Sequence, residues 1–317
     1  MFTNKKDRVK RFEPGYQKLY ATGALREKGE QLWAMMARCE LCPHRCGANR
    51  LQGEQGWCGA DDRLEIASYH LHFGEEDALV GQGGSGTIFM THCSMQCVFC
   101  INWEISRGAG GMTYSIDQLV AIMLGLQQSG CSNINIVTPT HYSPHLILAL
   151  DQAASQGLRI PLVYNTSGWE CVEILKILDG VIDIYLTDFK FIHSKAAATY
   201  AFRTASYPGI AREALLEMQR QVGTARPASD GLLYKGLMIR QLVMPNEVSG
   251  THPILEWIAT HLPLDTYINL MSQYRPVYQA WDFPELTRTI SRSEYESAIA
   301  YARQLKLTNL HTQGFYG

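Results

Sequence analysis

Short, continuous runs of apolar residues alternate with helix-like patterns along the chain from residue 86 onward. Six of these runs predict strands, at residues 87–91, 134–138, 161–166, 182–189, 237–243 and 267–273. The runs are continuous rather than alternating in polarity, as expected for parallel strands that are buried on both faces. We therefore expect a parallel sheet in this part of the chain.

Between the strands, apolar residues recur at the spacing of a helix. The first such set shares one helical face: Leu119, Ile122, Met123 and Leu126. It follows Ser115, and Gln118 three residues later completes the sequence pattern of a capping box. The same spacing predicts helices around 147–154 and 215–222 and a closing helix at 295–305.

A helix after nearly every strand is typical of an α/β fold. Six strands predict an incomplete (β/α) barrel over residues 86–317, because a complete barrel has eight units and takes about 250 residues. Residues 1–85 then form a small, cysteine-rich N-terminal extension. A doubly wound open sheet is the alternative, because periodicity alone does not separate the two folds.

Composition and charge exclude several classes of protein. The 317 residues are 46% hydrophobic and carry a net charge of −2, so nothing in the overall charge favours nucleic acid or an anionic membrane. No apolar segment reaches the roughly twenty residues that a membrane span needs, and the charged start does not resemble a secretion signal. The basic run at 4–12 is interpreted as a solvated tail. We expect a cytoplasmic protein.

The chain has nine cysteines, which in a reducing compartment are more often metal ligands or catalytic groups than disulfides. Two of them, Cys131 and Cys171, stand alone in apolar surroundings and are predicted to be small core residues. The other seven form two clusters, one in the N-terminal extension and one directly after the first predicted strand.

The second cluster is Cys93, Cys97 and Cys100. It lies on a loop at the carboxyl ends of the strands, where barrels of this kind carry their active sites. Cysteine thiolates hold iron–sulfur clusters, and three ligands on a four-iron cluster leave one iron open, as catalytic zinc keeps an open position. The alternative is part of a zinc site completed by His92 or by the upstream cysteines.

The spacing of these cysteines, with Phe99 before the last, resembles the signature of radical S-adenosylmethionine (SAM) enzymes. Segments CINW, NTSG, TDFK and RQLVMP, which begin at residues 100, 165, 187 and 240, resemble the branch related to pyruvate formate-lyase activating enzyme. The resemblance covers roughly residues 86 to 280. It implies a 4Fe-4S cluster whose open iron chelates the amino and carboxylate groups of SAM. Reductive cleavage then gives methionine and a 5′-deoxyadenosyl radical that abstracts a hydrogen atom.

The resemblance implies SAM-binding positions around the cluster: Phe99, Thr138, Thr140, Asn165, Ser167, Asp188, Lys190 and Arg240. The chain departs from the family where a Gly-Gly-Glu type run would follow the second strand and has Thr138-Pro139-Thr140-His141 instead. Asn165 also replaces an aspartate, and Arg275 replaces a histidine. An ordinary ion pair is the alternative for Asp188 and Lys190.

Three residues are predicted to be catalytic or to line the substrate: His141, Gln273 and Tyr274. His141 has the ordinary pKa range of a proton carrier and follows the second predicted strand. The alternative is that His141 packs beside Tyr142.

The N-terminal cluster comprises four cysteines: Cys39, Cys42, Cys46 and Cys58. Four thiolates at short spacing, with glycine and proline around them, form a closed set of ligands. Such a set is typical of a structural zinc site or of a second iron–sulfur cluster, and both remain open.

The sequence therefore predicts a radical SAM enzyme, an oxidoreductase of the activating-enzyme kind, with installation of a glycyl radical on a partner protein as one possible role. The alternatives are hydrogen abstraction from a small molecule or peptide, and a metal-stabilised binding protein without radical chemistry. The resemblance implies a one-electron donor such as flavodoxin or ferredoxin and, for an activase, a protein substrate. Neither nucleic acid nor a membrane is expected as a partner.

Overall fold

The structure is a computed structural model that describes residues 12–315. Residues 1–11 and 316–317, which include most of the basic run at 4–12, lie outside the described residues. Within the described part, nine strands form one sheet in the order β3-β1-β2-β4-β5-β6-β7-β8-β9. The strands are β1 Leu64–His72, β2 Ser85–Met90, β3 Met112–Tyr114, β4 Ile134–Val137, β5 Leu162–Thr166, β6 Ile184–Asp188, β7 Gly236–Leu242, β8 Tyr267–Met271 and β9 Leu310–Thr312.

Helices follow most of the strands, as the sequence predicts. The α-helices are α1 Gly15–Thr22, α2 Ala24–Ala34, α3 Asp77–Val80, α4 Trp103–Ser106, α5 Ile116–Gln128, α6 Ser143–Ser155, α7 Val172–Ile177, α8 Ser194–Tyr200, α9 Tyr207–Val222, α10 Thr251–His261 and α11 Arg292–Gln304. Short 3-10 turns lie at Met35–Arg38, Arg50–Gln52, Thr140–Tyr142, Pro245–Glu247, Tyr278–Asp282 and Pro284–Leu286. The capping box of α5 is present, with Ser115 and Gln118 each bonding the other's backbone N–H.

The six predicted strands are β2, β4, β5, β6, β7 and β8, and they are adjacent and parallel in this order. The sheet has three further strands that the sequence patterns did not predict. β1 and β3 extend one edge in antiparallel pairing, and β9 adds a parallel strand to the other edge. The six-strand count is therefore too low for this sheet.

The predicted domain boundary between residues 85 and 86 falls inside β2. Residues before that boundary contribute β1, which pairs with β2 and β3 in the same sheet. The N-terminal helix α2 packs against α6, which follows β4. The first 85 residues are thus built into the α/β fold, and the cysteine-rich segment is one part of them.

The sheet curves around an interior into which the loop between β1 and β2 inserts. In that loop Glu75 accepts a hydrogen bond from Asn135 on β4, and Glu76 accepts one from Asn269 on β8. In a flat sheet β4 and β8 would lie four spacings, roughly 19 Å, apart. Two consecutive residues reach both, so the strands wrap around them. Within residues 12–315, β3 and β9 end the strand order without pairing with each other, so the sheet does not close into a full barrel.

The two faces of the sheet belong to different apolar clusters. Tyr185 on β6 packs in the large cluster with the surrounding helices, whereas its neighbours Ile184 and Leu186 belong to a small interior cluster. Leu79 of α3, in the inserted loop, completes the interior cluster. The interior therefore contains both a cluster of apolar side chains and the hydrogen-bonded side chains of Glu75 and Glu76. None of the helices between residues 12 and 315 combines the length and apolar character that crossing a membrane requires.

Candidate active site at the carboxyl ends of the strands

The loop after β2 carries Cys93, Cys97 and Cys100. Its backbone turns sharply, with left-handed φ angles of 64° at His92 and 50° at Gln96. The His92 N–H donates to the carbonyl of Ile105, and the Cys100 N–H donates to the carbonyl of Cys97. These bonds fold the loop back on itself, so the three thiols lie next to one another at the carboxyl end of the sheet.

The three thiols share one partly buried environment. Burial raises the pKa of the Cys97 thiol well above its usual range, the nearby Lys190 ammonium acts in the opposite direction, and Cys93 and Cys100 raise it further. Burial and the neighbouring Cys93 likewise raise the pKa of Cys100. Cys97 and Cys100 therefore favour the protonated thiol, and a thiophilic metal centre would displace those protons on binding.

Within residues 12–315, no three His, Cys, Asp or Glu side chains are gathered closely enough to bind one metal ion, at the three-cysteine loop or at the four N-terminal cysteines. A four-iron cluster binds each thiolate at a different iron, so its ligands stand farther apart than those of one ion. For the zinc alternative, His92 Nε2 is already engaged, since it lies 3.2 Å from Glu65 Oε2, within hydrogen-bonding distance.

A polar network joins the ends of β5, β6 and β7 beside the cysteine loop. Asp188 pairs with Lys190 at 2.5 Å and with Arg240 at 2.8 Å, and Arg240 also donates to the Asn165 side chain at 2.7 Å. Burial opposes ionisation of Asp188, but Arg240 and Lys190 hold its pKa below its usual range. The structure thus brings together four of the residues predicted to bind SAM.

Arg240, predicted to bind SAM, already contacts three protein side chains through its guanidinium. Its third nitrogen lies 3.5 Å from Glu75 in the inserted loop, so Asp188, Asn165 and Glu75 all contact its guanidinium. A ligand carboxylate at Arg240 would have to share or replace one of these partners.

The turn at residues 165–168 approaches the end of β6 closely. Gly168 has a φ of 78°, and a Cβ there would lie 2.6 Å from the Asp188 carbonyl, so the turn requires glycine. Tyr207 ties the two segments together, donating to the Ser167 carbonyl and accepting from the Lys190 N–H. Ser167 is therefore held at the same edge as Asp188 and Lys190.

Two aromatic residues predicted for the site form its apolar wall. Phe99 is buried, with its ring 5.9 Å from that of Phe191 and 6.3 Å from that of Tyr274. The Tyr274 hydroxyl donates to the carbonyl of Leu286 at 2.7 Å. Tyr274 thus packs behind Phe99, and its hydroxyl is already satisfied, which does not agree with a direct role toward substrate.

The segment after β4 differs from the prediction. Thr138 has a left-handed φ of 60°, which is uncommon for a β-branched residue and is the kind of strain that concentrates at functional sites. The buried Thr140 hydroxyl donates to Glu170 at 2.6 Å, so it faces a protein carboxyl group. Contact between Thr140 and a ligand would require the hydroxyl to leave Glu170.

His141 does not line an open cavity. It is 1% exposed, its Nε2 donates to the carbonyl of Thr91 at 2.8 Å, and its ring lies 4.3 Å from that of Tyr142. Burial, aided by Arg50, lowers the pKa of His141 to about 3. The expectation of a substrate-facing histidine is wrong for this arrangement, and packing beside Tyr142 is what the structure contains.

Glu170 is a site residue that the sequence reasoning missed. It is fully buried and accepts from Thr140, Thr166 and Tyr164, and burial raises its pKa to about 7. The available signal was a glutamate directly after the NTSGW run, followed by the apolar residues of α7. Its partners, Thr140 in the turn after β4 and Tyr164 and Thr166 on β5, could not be assigned without the fold.

A cavity of about 380 Å³ lies between the inserted loop and strands β7 to β9. Polar and charged side chains make up most of its lining: Glu75, Glu76, Asp77, Arg240, Asn269, Gln273, His311, Thr312 and Gln313. Gln273 lies on the wall of this cavity. Burial raises the pKa of Glu75 to about 7, although Arg240 acts in the opposite direction. Glu76 Oε2 is buried without a hydrogen-bond partner.

The four N-terminal cysteines lie together near the same end of the sheet. Cys39, Cys42 and Cys58 are buried and Cys46 is exposed. A Cβ placed on Gly56 would lie 3.5 Å from both Cys46 Sγ and Cys58 Sγ, and burial together with Cys58 and Cys39 raises the pKa of Cys42. The two lone cysteines, Cys131 and Cys171, are buried in the apolar cluster as predicted.

These features define the class first: an α/β protein with a curved, mostly parallel sheet and a three-cysteine loop at its carboxyl edge. No family model matches the chain. The uncharacterised protein MJ0674 of Methanocaldococcus jannaschii is 32% identical over 279 residues, which cover 85% of this chain and 75% of that protein. The chain belongs to the same family as this archaeal protein.

A solved structure is also similar. HydG, a maturase of the FeFe-hydrogenase, matches with a TM-score of 0.49 and 13% identity, over 72% of this chain and 50% of that chain. This chain therefore spans about half the length of the HydG chain.

Proposed function

We propose that the protein is a radical SAM enzyme in which Cys93, Cys97 and Cys100 hold a 4Fe-4S cluster. One observation carries the proposal: three adjacent thiols, and no fourth on the loop, lie at the carboxyl end of a curved parallel sheet beside a charged network. Three thiolates leave one iron of the cluster open for SAM. The cluster and SAM together supply a 5′-deoxyadenosyl radical, and the protein supplies binding, orientation and electrostatics.

The residues around the loop have separable roles in this proposal. Lys190 puts a positive charge beside Cys97, which favours a thiolate there. Phe99 and Phe191 shield the cluster side of the site from water. The SAM side is assigned to six residues of the predicted set: Thr138, Asn165, Ser167, Asp188, Lys190 and Arg240. Phe99 forms the apolar wall behind them, and Thr140 would join them only if its hydroxyl left Glu170.

An exposed apolar surface adjoins the loop and supports a protein electron donor. Ile101 and Trp103, directly after Cys100, are 60% and 37% exposed, and Trp103 stacks on Tyr278 with ring centroids 4.8 Å apart. Apolar side chains grouped on a surface are typical of interaction sites. We assign this surface to a small one-electron donor of the flavodoxin or ferredoxin kind.

The direct test is cleavage of SAM by the protein after anaerobic reconstitution with iron and sulfide. With dithionite, the wild-type protein is expected to release methionine and 5′-deoxyadenosine, measured by chromatography and mass spectrometry. Cys97→Ala removes one of three cluster ligands and is expected to abolish both products. The matched control is Cys131→Ala, a buried cysteine outside both clusters, which should keep activity. A wild-type protein that binds metal but yields no 5′-deoxyadenosine would instead indicate the metal-stabilised binding protein.

A second candidate concerns the substrate. The cavity beside Arg240 has about 380 Å³, within the range of small-molecule sites, and Ala78 and Leu79 of the inserted loop pack in the apolar cluster of the interior. An activase must admit a segment of a partner protein, which needs more room. We therefore favour hydrogen abstraction from a small polar molecule over activation of a glycyl-radical protein.

Hydrogen transfer distinguishes the two substrates. Cells grown in deuterium-enriched medium give an extract that ultrafiltration separates into small molecules and macromolecules. Deuterium in 5′-deoxyadenosine is expected with the small-molecule fraction. Transfer only with the macromolecular fraction would contradict the small substrate and favour the activase.

A further inference from the structure

Arg50 is a buried cation whose acceptors carry no formal charge. Its side chain is fully buried, its Nε and Nη2 donate to the Asp61 carbonyl at 2.9 and 2.7 Å, and its Nη1 donates to the His141 carbonyl at 2.8 Å. Among residues 12–315 no carboxylate forms an ion pair with Arg50. The carboxylate of Asp61, whose carbonyl Arg50 contacts, pairs with Arg63 instead. A buried charge without a counter-ion is costly.

The nearest acceptor of another kind is a cysteine sulfur. Arg50 Nη1 lies 4.0 Å from Cys39 Sγ, and the charge of Arg50 also acts on Cys58. A negatively charged sulfur centre at this place would balance the guanidinium. Protonated thiols would not, because they carry no charge.

Cys39, Cys42 and Cys58 are buried, and the Arg50 guanidinium lies 4.0 Å from Cys39 Sγ. A cation beside a cysteine sulfur favours the thiolate form that binds a metal. Three of the four cysteines are thus enclosed by protein next to a buried positive charge.

The fourth cysteine is within reach of the others. The Cys39 N–H bonds the Ala48 carbonyl and the Gly47 N–H bonds the Cys39 carbonyl, so the 39–48 loop returns on itself. A Cβ placed on Gly56 would lie 3.5 Å from both Cys46 Sγ and Cys58 Sγ. Cys46 is exposed, and closing it onto the other three is a step that metal binding can drive.

We propose that Cys39, Cys42, Cys46 and Cys58 bind one tetrathiolate metal centre, that Arg50 balances its negative charge, and that the centre supports the three-cysteine loop. The chemistry is shared by a zinc ion and an iron–sulfur cluster, since four thiolates outweigh the positive charge of either. Metal binding here is independent of the proposed function. Only the support of the loop rests on it.

Contacts between the two cysteine segments carry the last part of the proposal. His44, between Cys42 and Cys46, donates to the carbonyl of Ser94 at 2.7 Å. The Gln96 side chain donates to the carbonyl of Trp57, directly before Cys58, at 3.3 Å. Ser94 and Gln96 both lie between Cys93 and Cys97. Ordering the N-terminal segment around a metal therefore also orders the loop that holds the other thiols.

The experiment starts from the Cys93→Ala/Cys97→Ala/Cys100→Ala variant, which lacks the other cluster. After exposure to zinc alone, or to iron and sulfide under argon, elemental analysis is expected to give one zinc ion or one iron–sulfur cluster per chain. The arm that loads identifies the metal. Adding Cys46→Ala, at an exposed position that does not disturb the core, should remove the metal. A variant with neither zinc nor iron, or full loading without Cys46, would overturn the site.

Arg50 is tested in the same background against a chelator. Arg50→Met is expected to weaken metal retention about tenfold, the lower end for groups that support metal ligands. Arg63→Met, an exposed arginine at the same Asp61, is the control and should retain metal normally. Arg50→Lys keeps the charge and should fall between them. Equal retention by Arg50→Met and Arg63→Met would contradict the role of Arg50. Metal content in this background does not depend on SAM cleavage, so the two proposals can fail separately.

Support of the loop is read from alkylation of Cys93 in two proteins that both keep Cys93, Cys97 and Cys100 free of a cluster. Cys93 is expected to react faster in Cys46→Ala, whose N-terminal segment binds no metal, than in the protein whose intact N-terminal segment is loaded with zinc. Equal rates would contradict the coupling of the two segments.

Discussion

Glu170, in the segment after β5, is a buried carboxyl group held by hydrogen bonds from three hydroxyl groups. Thr140, Thr166 and Tyr164 donate to it, but no cation contacts it among the described ion pairs. Hydrogen bonds favour the charged form, whereas removal from water disfavours it more, and the pKa rises to about 7. The group therefore carries a proton in the folded protein at pH values where it is ionised in the unfolded chain.

This difference predicts a pH dependence of stability. Above the unfolded pKa near 4.5 the folded state retains a proton that the unfolded chain has lost, so the free energy of unfolding falls as pH rises to about 7. Between these pH values the free energy of unfolding of the wild-type protein should fall by about 3 kcal/mol relative to that of Glu170→Gln. Urea denaturation of both proteins at each pH measures the difference. The control Glu213→Gln, at an exposed position on α9, should show the same pH dependence of the free energy of unfolding as the wild type. If the difference in stability between the wild type and Glu170→Gln were the same at both pH values, the assignment would be contradicted.

At the scale of single residues, groupings within a short segment could be predicted from the sequence, whereas contacts between distant segments could not. The grouping of Cys93, Cys97 and Cys100 depends on eight consecutive residues, so the sequence contains it. The contacts of Glu170 with Thr140 and of Arg50 with His141 join segments 30 and 91 residues apart. The His141 prediction failed for this reason, since burial against Thr91 and Tyr142 depends on how those segments meet.

At the scale of elements, the buried strands were predictable because apolar runs mark them on both faces. β3 and β9 have three residues each, too few for a recognisable pattern. β1 is buried only at two positions near its start, so it has no continuous apolar run. The β1–β2 loop is acidic and has the composition of an exposed turn. The structure instead puts Glu75 and Glu76 inside the sheet, against polar side chains that interrupt the strands.

Those interruptions were a usable signal. Asn135, Asn165, Arg240 and Asn269 lie in otherwise apolar strands, and buried polar groups need partners. Asn135, Asn165 and Arg240 contact Glu75, and Asn269 donates to Glu76. These contacts also fix how deeply the loop inserts. The size of the cavity beside Arg240 follows from this insertion, so the small-substrate proposal depends on an element that periodicity did not identify.

At the scale of the whole molecule, both cysteine clusters converge on one end of a single sheet. The N-terminal segment contacts the three-cysteine loop through His44 and Gln96, and Arg50 bonds the segment after β4. The two clusters differ in one respect that determines their chemistry. Four cysteines can close a metal centre, whereas three leave a position for a ligand.

The central claim is that three thiolates hold a cluster with one iron open to SAM. Electron paramagnetic resonance of the reconstituted, dithionite-reduced protein tests it most directly, because SAM binding to an iron changes the spectrum of that cluster. The account predicts that adding SAM alters the wild-type spectrum and leaves that of the Cys93→Ala/Cys97→Ala/Cys100→Ala variant unchanged. A wild-type cluster whose spectrum is the same with and without SAM would contradict it.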